Sequence, residues 1–133
     1  MLSEKRTDKE QAASDHTDPA KYRELHDKYM NDANRLLEQG DHPQASEHLW
    51  GAAAQMVKAV AESRQWRHSS HRDLRGTISR LFRETNDPDL PRLFAVAEAL
   101  HTKFYEDYIQ PEELRVYAGD IRQLIDKLQP LAN

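Results

Sequence analysis

Apolar residues recur at three- and four-residue intervals along most of this 133-residue chain, the spacing of helices that each bury one stripe. The first stripe is Tyr22, Leu25, Tyr29, Ala33, Leu36 and Leu37. Asp18 stands where an N-cap belongs, with Pro19 at the first helical position. Gly40 reads as a left-handed C-cap. Asp41 and Pro43 open a second helix almost at once, and a link this short makes the two helices antiparallel neighbours. The second helix runs to about Arg64 on a core face of Ala45, Leu49, Ala52, Ala53, Met56 and Val60. A second stripe on it holds Glu47, Trp50, Gly51, Ala54 and Lys58. Small residues in that stripe imply that another helix or another subunit approaches closely. Gly51 in particular costs about 1 kcal/mol of helix propensity relative to alanine and needs a packing reason.

Ser69 or Ser70 caps a third helix carrying Leu74, Ile78, Leu81 and Phe82. The segment Asn86-Asp87-Pro88-Asp89 breaks it. A fourth helix begins near Pro91 and buries Leu93, Phe94, Ala97, Leu100, Phe104 and Tyr108. Gln110-Pro111 breaks that one in turn. A fifth runs on Leu114, Tyr117, Ala118, Ile121, Leu124, Ile125 and Leu128 and stops at Pro130. No segment alternates with a period of two, and no internal repeat is visible. The pattern therefore predicts an all-α fold, an antiparallel bundle of about five helices over 18–130. Residues 1–17 offer almost nothing apolar beyond Leu2, Ala12 and Ala13, too little to offset the entropy of ordering, and read as a disordered tail.

Composition narrows the function classes. Cysteine is absent, which excludes a disulfide scaffold, a thiol nucleophile and a Cys-ligated zinc. No apolar run approaches the roughly 18 residues of a membrane span, and the first residues lack the apolar core of a signal peptide, so a cytoplasmic location away from membranes is expected. The net charge of −4 does not suggest a general polyanion binder. The distribution is uneven, however. Between Arg64 and Arg83 lie six arginines and two histidines with Asp73 as the acid among them, a stretch that faces either a phosphate or solvent. The sequence holds no Gly-x-x-x-x-Gly-Lys loop, no Gly-x-Ser-x-Gly elbow and no His-Glu-x-x-His helix. ATPase and serine-hydrolase readings drop out, and neither a metal site nor a cofactor is expected.

Three blocks carry a resemblance. The stretch from Gln39 through Gly40, Asp41 and Trp50 to Ala54, followed by Lys58, resembles an archaeal and bacterial repeat-protein family of the HEPN superfamily. Ser70-His71-Arg72-Asp73-Leu74 is similar to the start of that family's third helix. Leu100-His101-Thr102-Lys103-Phe104-Tyr105-Glu106 is similar to its Leu-His-x-x-Phe-Tyr-Glu segment. The resemblance spans roughly residues 20–128. It implies an antiparallel helical bundle that commonly forms a homodimer and a nucleotide- or RNA-associated role. Many HEPN modules are metal-independent ribonucleases with an Arg-x4–6-His motif where two subunits meet. Others bind nucleotides beside a nucleotidyltransferase, so a nucleotidyltransferase or antitoxin partner is also implied.

For the ribonuclease motif the resemblance points to Arg64 and His71, histidine as base for a 2′-hydroxyl and arginine as phosphate clamp. Spacing alone carries no information here. With 12 arginines and 7 histidines, chance gives about two such matches, and two occur, Arg64 with His71 and Arg35 with His42. Otherwise His71 caps the third helix and Arg64 is a solvated charge at a helix C-terminus. Arg67 adds positive charge nearby. His101 borders an apolar face and is either a satisfied interface residue or, with Tyr105, Trp50 and Lys58, part of a nucleotide pocket in which a ring stacks on a base and Lys58 meets phosphate. Glu47 reads as an acid serving the first turn of its helix. Two functions stay open: a nucleotide- or RNA-associated module, of which a metal-independent ribonuclease is one form, and a non-catalytic dimeric interaction protein.

Overall fold

The computed structural model describes residues 19–106 and 109–132, with the side chains of 20–101 and 109–132. The predicted tail, the Asp18 cap, and the side chains of Phe104, Tyr105 and Tyr108 lie outside the described residues. Five helices follow one another: α1 (Pro19–Gln39), α2 (His42–Ser63), α3 (His71–Thr85), α4 (Asp89–Glu106) and α5 (Pro111–Leu128), closed by a 3-10 turn, Gln129–Leu131. No strand occurs among the described residues. The fold is the all-α bundle that the periodicity predicts.

Helix ends sit where local chemistry satisfies the orphan backbone groups. Gly40, at φ 81°, closes α1 in the left-handed conformation that glycine adopts without a Cβ penalty. The amide of Asp41 reaches back to the Leu36 carbonyl at 2.9 Å. Asp41 then caps α2 by accepting from the Gln44 amide. At the other end of α2 the same left-handed turn falls on Gln65, at φ 59°, and the Trp66 amide returns to the Ala61 carbonyl. Ser70 caps α3 by accepting from the Asp73 amide, while the Asp73 carboxylate accepts from the amide and hydroxyl of Ser69. Burial pushes the Asp73 carboxyl up, but these hydrogen bonds from Ser69 and Ser70 outweigh it and hold the group below its ordinary value.

Helix α2 is the centre of the bundle. It touches all four other helices, and 12 of its 22 residues are buried, so its two apolar stripes merge. Its alanines let α1, α4 and α5 come close. Ser46 is buried against α4, where its hydroxyl donates to the Leu100 carbonyl at 2.6 Å. Near its C-terminus the buried Glu62 carboxylate accepts from His68 Nε2 at 2.8 Å, and the edge of His68 meets Tyr22 of α1. That bond ties the link after α2 to the core.

Two expectations change. The α1 stripe includes His26 and Met30, both buried, which a reading limited to regular apolar spacing passed over. Phe82, expected in the core of α3, is exposed, because the buried residues of α3 are Leu74, Thr77, Ile78 and Leu81. Phe82 falls one position beyond that stripe.

His26 sets a pH dependence. Burial lowers its pKa from the ordinary 6.5, against the opposing charge of Asp27. The unfolded chain takes up a proton that the folded chain resists, so this contribution to stability is full above pH 6.5 and is lost as the pH falls below it. The urea midpoint of the wild type is expected to decline between about pH 7 and pH 5, and His26→Phe should flatten that part of the curve. An identical slope in the variant would assign the decline to other groups.

Candidate functional site

Along one flank of α2, Glu47, Trp50, Gly51, Ala54 and Lys58 line the floor of an open cleft of about 460 Å³. Helix α1 contributes Tyr29 to one wall. The α3 N-terminus contributes Ser69, Ser70 and His71, and α4 contributes His101. The small residues of α2 are what make room. A Cβ placed on Gly51 would stand 3.1 Å from Cδ1 of Tyr29, so the close approach that this glycine requires is met inside the chain, by a tyrosine ring. Tyr29 is half-buried and can yield by a few tenths of an ångström, while alanine recovers about 1 kcal/mol of helix propensity. Gly51→Ala is therefore expected to change stability by less than about 1 kcal/mol, and Gly51→Leu, which also fills the cleft, to destabilise clearly. Chemical denaturation of both variants checks this.

Three histidines line the cleft. His48 Nδ1 donates to the Gln44 carbonyl of its own helix at 2.8 Å, while His71 and His101 are each tied to a carboxylate on a different helix. His71 Nε2 donates to Glu98 Oε2 at 2.7 Å. Arg75 donates to the same oxygen through Nε at 3.0 Å and Nη2 at 2.5 Å. His101 Nδ1 donates to Glu47 Oε1 at 3.1 Å. A carboxylate only accepts, so each pair selects a tautomer and leaves the other ring nitrogen, Nδ1 of His71 and Nε2 of His101, as the basic one. The imidazoles pack on Trp50, His101 stacked at 5.0 Å and 18° and His71 tilted at 4.9 Å. Their centroids are 6.4 Å apart, so each imidazole lies nearer to the indole than to the other imidazole. Both side chains are about 40% exposed and reachable from solvent. Phe94 backs the group from the core, 5.9 Å from Trp50 and edge-on to His71 at 6.3 Å. Trp50 therefore acts as a platform for the two imidazoles.

The other proposed site residues fall in different places. Lys58 lines the same cleft. The side chain of Tyr105 is outside the described residues. Arg64 and His71 are not brought together. The Arg64 guanidinium donates to Glu84 at 2.5 Å and to the Leu131 carbonyl. Glu84 lies near the far end of α3 from His71, about 20 Å along the helix axis. The Glu84 carboxyl is held below its ordinary value by the hydrogen bond from Arg64. Arg67 lines a separate groove with Trp66. Sequence reading missed Glu98, and it assigned Glu47 to its helix terminus when that carboxylate instead orients His101. Glu98 stands three residues before His101 on α4, and that spacing on a helix face was the one available signal.

A family model for the archaeal PaREP1/PaREP8 proteins matches residues 21–125, from the first turn of α1 into the last turns of α5. The chain belongs to the archaeal PaREP1/PaREP8 family. No curated protein matches it. A crystal structure of a protein from Sulfolobus solfataricus is similar, with a TM-score of 0.72 at 20% identity over 82% of this chain and 97% of that one. At that identity the likeness speaks for the fold. The residues that line the histidine cleft run from Tyr29 to His101, so all of them fall inside the PaREP1/PaREP8 match. No helix among the described residues is long and apolar enough to cross a membrane. Among the described residues, no group of three or more His, Asp or Glu side chains is disposed to hold a metal ion.

Proposed function

We propose that this PaREP1/PaREP8 chain is a HEPN-like, RNA-associated module whose cleft cleaves RNA without a metal, using His71 and His101 as the acid–base pair. One observation carries the reading: two solvent-reachable imidazoles, each oriented by its own carboxylate, stand 6.4 Å apart in a cleft that Lys58 also lines. Transfer of a phosphodiester needs that set. One imidazole takes the proton of the 2′-hydroxyl as its oxygen attacks phosphorus. The other delivers a proton to the departing 5′-oxygen as the P–O5′ bond breaks. The products are a 2′,3′-cyclic phosphate and a free 5′-hydroxyl, and no further reactant is consumed. Lys58 supplies positive charge to the phosphorane. In this reading His101 and Lys58 take the place that the motif spacing gave to Arg64.

The test is cleavage of a labelled mixed-sequence RNA in excess EDTA by wild type and by His71→Ala. Cleavage by wild type that the substitution abolishes supports the reading. An inert wild type at high protein concentration and long incubation overturns catalysis and leaves the alternative, a non-catalytic interaction module.

A further inference from the structure

Outside the histidine cleft, a row of arginines lies along the outer face of α3. Arg72, Gly76, Arg80 and Arg83 follow one another at three- and four-residue steps and so share one face of the helix. With Arg67 and Trp66 from the preceding link they line a groove of about 420 Å³. From Arg72 to Arg83 the helix axis covers about 16 Å. Arg67, Arg72 and Arg83 are exposed, and among the described residues none of the three has an acidic partner or a hydrogen-bond acceptor. Arg75, on the neighbouring face, contrasts with them, since it is spent on Glu98. The acid in the groove is Asp73, whose carboxylate accepts from Ser69 and is occupied in capping. Trp66 orders the groove. The Arg80 guanidinium lies over its ring at 4.4 Å and that of Arg64 at 5.2 Å, which leaves the indole as a support for cations rather than a place for a base to stack.

The geometry points to this groove as a track for the phosphate backbone of a single RNA strand, leading to the histidine cleft. Continuity supports the assignment. Ser69, Ser70 and His71 line the cleft, while Arg72 and Asp73 line the groove, so the two meet at the N-terminus of α3. Guanidinium groups held in a row, each free to grip phosphate oxygens bidentately, suit a polyanion of regular charge spacing. A chain with a net charge of −4 repels such a ligand elsewhere, which confines it to this face. The inference rests on the reading of the chain as RNA-associated, but it concerns binding and not the chemical step.

The test uses a fluorescent 2′-O-methyl oligoribonucleotide of about 12 nucleotides, which lacks the attacking hydroxyl and cannot be cleaved. Anisotropy titrations at several salt concentrations compare the wild-type chain with Arg67→Gln/Arg72→Gln/Arg83→Gln. Among the described residues these three arginines have no partner to lose, and Arg80 is left on Trp66, so the variant is expected to melt as wild type does. It should bind about tenfold more weakly or worse, and the slope of log affinity against log salt should become shallower by about 2, some 0.7 for each phosphate that is no longer neutralised. The triple lysine variant, which keeps the charge, should keep the slope. Unchanged affinity and slope in the glutamine variant overturn the inference, whatever the cleavage assay reports. A wild type that never cleaves RNA but loses oligonucleotide affinity in the glutamine variant sinks the catalytic reading and leaves the track standing.

Discussion

Phe94→Ala is expected to lower the free energy of unfolding by about 4 kcal/mol, the range of a large aromatic removed from a closed core. The ring is 2% exposed and is packed where α4 crosses α2, so the backbone on both sides is held by other contacts and has little freedom to collapse into the space. Against a total stability of about 5–15 kcal/mol for a domain, the loss brings the fold close to its threshold. The effect extends beyond stability. Phe94 meets Trp50 and the edge of His71, so its removal frees the platform on which both imidazoles rest. Denaturant titration should show a lower midpoint with an unchanged slope, the sign of lost stability rather than of a new denatured state. Phe94→Leu, which refills part of the volume, should recover much of the loss. A Phe94→Ala chain as stable as wild type would mean that the α2–α4 crossing is not packed as described.

The elements of the bundle were legible in the sequence because each is announced by local chemistry. Gly40 must turn left-handed, Asp41 and Ser70 must cap, and Pro111 must begin a helix, whatever the rest of the chain does. The buried face of α2 was legible for the same reason, since alanines at helical spacing say that other backbones come close. Where reading failed, distant parts of the chain decide. His26 is polar by type yet buried in α1. Phe82 is apolar by type yet one position off the α3 stripe. The Arg64–His71 pair shows the limit most clearly. Six residues separate them along the chain, but the left-handed turn at Gln65 and the buried Glu62–His68 bond fix the link, and Arg64 pairs with the far end of α3. Conversely Glu47 and His101 are 54 positions apart and make a hydrogen bond, because α2 and α4 pack side by side. Clusters assembled from three helices carry no spacing signature. The sequence reading joined Trp50 and His101 with Lys58 and Tyr105 and set His71 beside Arg64, and only the fold packs His71 and His101 on the same indole.

That grouping makes a quantitative prediction for the proposed cleavage. His71→Ala and His101→Ala should each reduce the rate by about 10³-fold, within the range that one positioned acid or base contributes. The double substitution should cost little more than either single one, because base and acid act on the same transfer and neither helps fully without the other. A product of the two single effects would instead mean independent roles, and wild-type rates in all three variants would remove both residues from the chemistry. Glu98→Gln separates positioning from catalysis. It keeps the volume beside His71 but no longer obliges Nε2 to be the protonated nitrogen, so a loss of about tenfold or more in kcat with little change in KM is expected. Arg75, which shares the Glu98 oxygen, anchors the remaining amide, so the fold should hold. If Glu98→Gln raised KM alone, the carboxylate would be a binding group, and His71 would have to be oriented by Trp50 and Phe94 without it.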